Sequence, residues 1–208
     1  MKNFSSLKNI LFDLGGVILD LNVNATLEHF LNLGFPRELL NYPENYETDI
    51  FFNYETGKTS TSEFRDAIRR ISGVNFSNDE FDKAWCAMLT GVPESRTRLL
   101  QSLAKEYNLY ILSNTSELHI RQFNQMFHDA AGYTLSDVFT HGFYSHETGW
   151  HKPDPKAFKD VLKKAKIKAS ETLFLDDNIH NVKAAKELGF NAIHITDNLR
   201  MEDVGFDR

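Results

Sequence analysis

Four short stretches of the 208-residue chain carry side chains that could act together: Asp13-Leu14-Gly15-Gly16-Val17, Ser113-Asn114-Thr115, Lys152-Pro153 and Asp176-Asp177-Asn178. If they converge, they bring together three carboxylates, one ammonium, a hydroxyl and several backbone N–H groups. Three carboxylates without a charge partner repel one another and titrate upward unless a divalent cation sits among them. An all-oxygen site with few protein ligands suits Mg²⁺, which keeps its waters and shares a substrate phosphate. Lys152 offers a point charge to that phosphate, and the Ser113 hydroxyl and the amides of Asn114, Gly15 and Gly16 offer hydrogen bonds. Asp13 could then attack phosphorus to form an aspartyl-phosphate.

Such convergence requires elements that end in the same place. Five apolar runs bounded by turn signals read as strands: Ile10 to Phe12, Leu109 to Leu112, Val138 to Tyr144, Thr172 to Leu175 and Ala192 to Ile195. Most are near-continuous apolar runs of the kind buried on both faces of a parallel sheet. Asp13, Ser113 and Asp176 each follow the carboxyl end of one of them, where open α/β sheets bind ligands. Helical patterns alternate with the later strands. Asp154 with Pro155 opens one helix, and Asn178 opens another that Gly189 closes. The expected fold is a doubly wound α/β core with a five-stranded parallel, Rossmann-like sheet of order 3-2-1-4-5.

The interval after the first strand breaks this rhythm, with helical periodicity up to Gly91 and no convincing strand. Ser60 to Glu63 and Ser77 to Glu80 are capping boxes that open helices carrying Phe64, Ala67, Ile68 and Ile71, and Phe81, Ala84, Trp85 and Met88. A parallel crossover needs far fewer residues than separate Phe12 from Leu109. The surplus is expected to be an inserted helical cap at 20–91, over a core of 1–19 and 92–208.

Composition narrows the function classes. The formal net charge of −6 gives no field for nucleic acid or an anionic membrane surface. No apolar run approaches the roughly 20 residues of a membrane span, and no leader pattern is visible at Met1 to Leu7. The single cysteine, Cys86, sits among Trp85, Met88 and Leu89 and reads as a core thiol. A cytoplasmic protein, with a monomer favoured, is expected. Of the eight histidines only His151, beside Lys152, stands near the candidate site. Phe51, Phe52 and Tyr54 read as cap packing.

The four stretches, in this order, resemble the four motifs of the haloacid dehalogenase-like hydrolases (HAD superfamily), with a C1-type cap between the first two. Within that family, Tyr54-Glu55-Thr56-Gly57 and Leu112-Ser113-Asn114-Thr115 resemble a branch of sugar-phosphate phosphatases that includes alpha-glucose-1-phosphate phosphatases and the phosphatase domain of epoxide hydrolase. The resemblance implies a Mg²⁺-dependent phosphatase of a small phosphomonoester such as glucose 1-phosphate. Asp13 would be nucleophile and metal ligand, with the Gly15 carbonyl a second ligand. Ser113, Asn114 and Lys152 would bind phosphate. Asp177 would bind the metal directly and Asp176 through water or from behind.

One position departs from the family pattern. Where these phosphatases carry a second aspartate that protonates the leaving group, this chain has Gly15. Acid–base help of that kind is worth about 10²- to 10⁴-fold in rate. An anomeric leaving group would tolerate the gap best, and Asp20, Glu55 and His151 are candidates to fill it. Two alternatives stand beside the phosphatase: a metal-independent dehalogenase, which would have little use for Asp176-Asp177, and a phosphate-ligand binding protein without turnover.

Overall fold

The computed structural model describes residues 6–40 and 49–206. Most of the terminal stretch searched for a leader therefore lies outside the described residues. Strand β1 (Asn9–Phe12) leads into a short strand β2 (Asp20–Leu21), then helices α1 (Val23–Asn32), α2 (Asp49–Glu55), α3 (Thr61–Ser72) and α4 (Asn78–Cys86). Strand β3 (Leu89–Gly91) follows, then α5 (Glu94–Leu103), β4 (Asn108–Ser113), α6 (Glu117–Ala131), β5 (Phe139–Tyr144), α7 (Ser145–Thr148), α8 (Pro155–Ala165), β6 (Thr172–Asp176), α9 (Ile179–Glu187) and β7 (Asn191–His194).

The main sheet has five strands in the order β5-β4-β1-β6-β7, all parallel. Counted along the sheet alone, that is the order 3-2-1-4-5 expected from the sequence. Successive side chains of a strand point to opposite faces, and both faces here are covered. Ile10, Phe12, Leu109, Ile111, Leu173 and Leu175 pack with Leu100 of α5 and with Phe123 and Phe127 of α6. Leu11, Tyr110, Leu112 and Phe174 pack on the other face with Phe158 and Val161 of α8 and Ala185 of α9. Double burial accounts for the unbroken apolar runs.

The helices between β1 and β4 have an aromatic core of their own. Phe30, Phe35, Tyr54, Phe64, Phe81 and Trp85 form it, joined by Leu118 of α6. Tyr54 stacks on Phe64 with ring centroids 4.1 Å apart. Both expected capping boxes are present, on α3 and α4, and Asp154 and Asn178 cap α8 and α9 through Lys156 N and His180 N. Cys86 is half-buried against this core, and burial pushes its thiol up to about 12.

The segment is not wholly helical, which corrects the sequence expectation. β2 and β3 pair antiparallel, Asp20 opposite Gly91 and Leu21 opposite Leu89, extended by Asn22 N donating to Met88 O at 2.8 Å. Arg96 of α5, buried, clamps this ribbon: its guanidinium reaches Asp20 Oδ1 at 2.8 Å, Ile18 O at 3.3 Å and Glu202 Oε1 at 3.3 Å. Among the described residues no helix is long and apolar enough to cross a membrane.

Candidate active site

The three central strands β4, β1 and β6 run parallel, so their carboxyl ends lie along one edge of the sheet. Ser113 ends β4, Asp13 follows β1, and Asp176 ends β6. Lys152 arrives from the loop before α8 and is 2 % exposed. Its Nζ lies 2.9 Å from Asp13 Oδ1 and 2.7 Å from Asp176 Oδ2. Burial pulls its pKa down, but the two carboxylates outweigh burial and leave it raised.

Asp13 Oδ1 also accepts from Leu14 N at 2.7 Å, so the Lys152 and Leu14 contacts fall on the same oxygen. Burial lifts the Asp13 carboxyl to about 7, with Asp176 and Asp177 adding to the rise and Lys152 opposing it. Asp177 is raised in the same way, first by burial and then by Asp176. A cation among these groups would relieve that repulsion. One oxygen from each of Asp13, Asp176 and Asp177 lies within 4.8 Å of the others, which fits a shared hard cation.

The two neighbouring aspartates have different positions. Asp176 is fully buried: Oδ1 accepts from Asn178 N and Asn181 Nδ2, and Oδ2 from Lys152 Nζ and Asn181 Nδ2. With both oxygens so engaged, it fits behind a cation, while the exposed Asp177 fits in front of it. Asn181, which the sequence reading passed over, is part of this support. Its signal was its place one turn into the helix that Asn178 caps.

One phosphate-binding assignment changes. The Gly16 N–H, given to a ligand in the sequence reading, donates to Leu19 O at 2.8 Å. Gly16 instead supplies a turn with φ of 70° at which any Cβ would collide with Asp177 Oδ2. For Asn114 the amide assignment stands, and its side chain has a separate task. Its Oδ1 accepts from Lys152 N at 2.7 Å and its Nδ2 donates to Lys152 O at 2.8 Å, so it holds the lysine segment and leaves only its backbone for a ligand.

Above this floor lies a cavity of about 360 Å³ that Asp13, Gly15, Ser113, Asn114, Lys152 and Asp177 line from below. The helical segment supplies its other walls, including Phe51, Glu55, Trp85 and Met88. Glu55 is 6 % exposed, and its Oε2 lies 3.2 Å from His151 Nε2. His119 also lines the cavity, stacked on Trp85 at 5.1 Å with Nε2 on Trp85 O at 3.0 Å; burial lowers its pKa. Sequence reasoning placed Trp85, Met88 and Phe51 in packing, because an apolar helix face looks the same whether it meets a core or a ligand. Asp20 is outside this cavity, half-exposed and paired with Arg96.

Residues 7–189 match the haloacid dehalogenase-like hydrolases. The chain is 32% identical to a D-ribitol-5-phosphate phosphatase of Bacteroides thetaiotaomicron over 88% of this chain and 89% of the relative. It is 28% identical to a sesquiterpene phosphatase of Aspergillus oryzae over 94% and 93%. A solved HAD family enzyme from Bacteroides thetaiotaomicron, in complex with magnesium and inorganic phosphate, superposes with a TM-score of 0.84 at 35% identity, over 90% of this chain and 93% of that one.

Proposed function

The chain belongs to the haloacid dehalogenase-like hydrolase family, and from that premise we propose that it is a Mg²⁺-dependent phosphatase of a small polyol or sugar phosphate, acting through an aspartyl-phosphate on Asp13. The observation that carries the reading is the buried Lys152 ammonium held between Asp13 and Asp176 beneath the cavity. The relatives named above are phosphatases, and one enzyme similar to this chain holds magnesium and phosphate.

In this reading Asp13, the Gly15 carbonyl and Asp177 would hold the metal, with Asp176 supporting the site from behind. Bound there, Mg²⁺ would screen the phosphate's charge and favour the ionised form of Asp13. Lys152, the Ser113 hydroxyl and the backbone around Asn114 grip the phosphate oxygens. Oδ2 of Asp13 attacks phosphorus in line, the bond to the alcohol oxygen breaks, and water later cleaves the aspartyl-phosphate. Residues 20–91 act as the cap that walls the reacting centre from bulk water and shapes the choice of alcohol.

Glucose 1-phosphate gains no support from the relatives named above. Ribitol 5-phosphate carries its phosphate on a primary carbon, and a primary alkoxide leaves poorly. The test is phosphate release from ribitol 5-phosphate, glucose 1-phosphate and 4-nitrophenyl phosphate, with and without Mg²⁺, for the wild type and Asp13→Asn. Release that needs both Mg²⁺ and Asp13 is expected. A folded Asp13→Asn protein that still turns over removes Asp13 as nucleophile. Binding without release would leave a phosphate-ligand binding protein, and metal-independent turnover of a 2-haloacid would make it a dehalogenase.

A further inference from the structure

The missing aspartate leaves the proton chemistry of the proposed phosphatase unassigned, and the space beside Gly15 does not supply it. A Cβ built on Gly15 would stand 2.6 Å from Leu21 Cδ1, so that wall is apolar. Of the carboxylates lining the cavity, Asp13 and Asp177 are already committed to the nucleophile and the metal. Glu55 is the remaining one among the described residues.

We infer that Glu55 and His151 together form the acid–base group of this site, with Glu55 carrying the proton to and from the reacting oxygens and His151 positioning it; the inference rests on the phosphatase reading. The argument comes from how the imidazole is held. Asn114 cannot be turned over, because its Oδ1 accepts from Lys152 N and its Nδ2 donates to Lys152 O. His151 Nδ1 therefore faces a donor, Asn114 Nδ2 at 2.9 Å, and an acceptor, Lys152 O at 2.8 Å. Unprotonated, Nδ1 accepts from the amide; protonated, it donates to the carbonyl. In both states Nε2–H points at Glu55 Oε2, 3.2 Å away. Nδ1 thus has a partner in either state while Nε2–H keeps its contact with Glu55, which suits an acid that must later serve as a base.

The steps balance. As the bond from Asp13 Oδ2 to phosphorus forms and the bond from phosphorus to the alcohol oxygen breaks, that oxygen takes the proton of the pair. Water then gives a proton back to the pair as its oxygen bonds to phosphorus, and the bond to Asp13 breaks to return the carboxylate. The pair also spans the two parts of the molecule, Glu55 from α2 and His151 from the loop before α8. The acid is assembled only when the helical segment rests on the sheet edge.

The test is kcat/KM on two esters of similar size, 4-nitrophenyl phosphate and benzyl phosphate, for the wild type, Glu55→Gln and His151→Gln in Mg²⁺. Glu55→Gln should lower the benzyl value by about 10²-fold and leave the 4-nitrophenyl value nearly unchanged, because nitrophenolate departs without a proton. It should also show a burst of nitrophenol, as water attack on the aspartyl-phosphate slows. His151→Gln should show the same selectivity to a smaller extent, and the double variant should be no worse than Glu55→Gln, so the pair is readable even if one variant folds poorly. Equal losses on both esters would make the pair a latch between the two parts and overturn the inference while leaving the phosphatase intact. No loss on either ester would also overturn it. A wild type inert on both would overturn the phosphatase reading with it.

Discussion

Asp176 and Asp177 are neighbours in sequence with opposite surroundings, one buried and one exposed, and that contrast gives a prediction at the scale of single residues. Asp177 is exposed toward the cavity, so Asp177→Ala should raise the Mg²⁺ concentration needed for half-maximal activity while barely moving the melting temperature of the metal-free protein. Asp176 is buried under three donors. Asp176→Ala strips the buried Lys152 of one of its two carboxylates and should destabilise the fold by about 3–5 kcal/mol, read as a lower Tm before any metal is added. The reverse pattern would exchange their roles. Both residues were legible in the sequence because a strand end followed by Asp-Asp-Asn is a local pattern. Glu55 stood out only as one of three candidate acids, since its partner is 96 positions away and nothing local marks the pairing. At Gly15 the obstacle to any side chain is Leu21, a contact between residues six positions apart that no local pattern announces.

At the scale of elements, the capping boxes are the clearest link from sequence to structure. Ser60 Oγ accepts from Glu63 N while Glu63 Oε2 accepts from Ser60 N, and Ser77 and Glu80 repeat the arrangement. Ser60→Ala or Ser77→Ala should each cost about 1 kcal/mol in thermal or denaturant unfolding. The Ser60 side chain and backbone hold Glu63 below the usual carboxylate range, and the Ser77 backbone and side chain do the same for Glu80. A folded pKa below the unfolded one means that this stabilisation is present at neutral pH, above the unfolded value, and lost as pH falls through the folded one. The Ser→Ala difference in Tm should therefore narrow in acid. β2 and β3 could not be read the same way. Strands of two and three residues are too short to show an alternation, and they pair where the chain's two crossings meet, with Arg96 holding Asp20 on the β2 side.

At the scale of the whole molecule, the doubly wound parallel sheet followed from strand runs alternating with helical patterns, whereas the cavity did not. A cavity is a property of two surfaces facing each other, and Trp85, Phe51 and Met88 carry no mark that distinguishes a wall from a core. The β2–β3 ribbon has a consequence for how such a protein can change over generations. Asp20 and Gly91, the ends of the proposed cap, stand opposite each other in this ribbon. The intervening length hardly matters to closing the core, because the entropy of a closed loop grows only slowly with its length. The segment is therefore expected to behave as an exchangeable module plugged in at one point. A chain in which residues 23–87 give way to a short Gly-Ser linker should keep the cooperative unfolding and far-ultraviolet signature of an α/β sheet protein while losing turnover of benzyl phosphate, and a chain that collapses to an unfolded state would show that the two parts fold only together. If the sheet survives, lineages can trade one substrate for another by swapping the module, with Asp13, Lys152 and the aspartate pair left undisturbed.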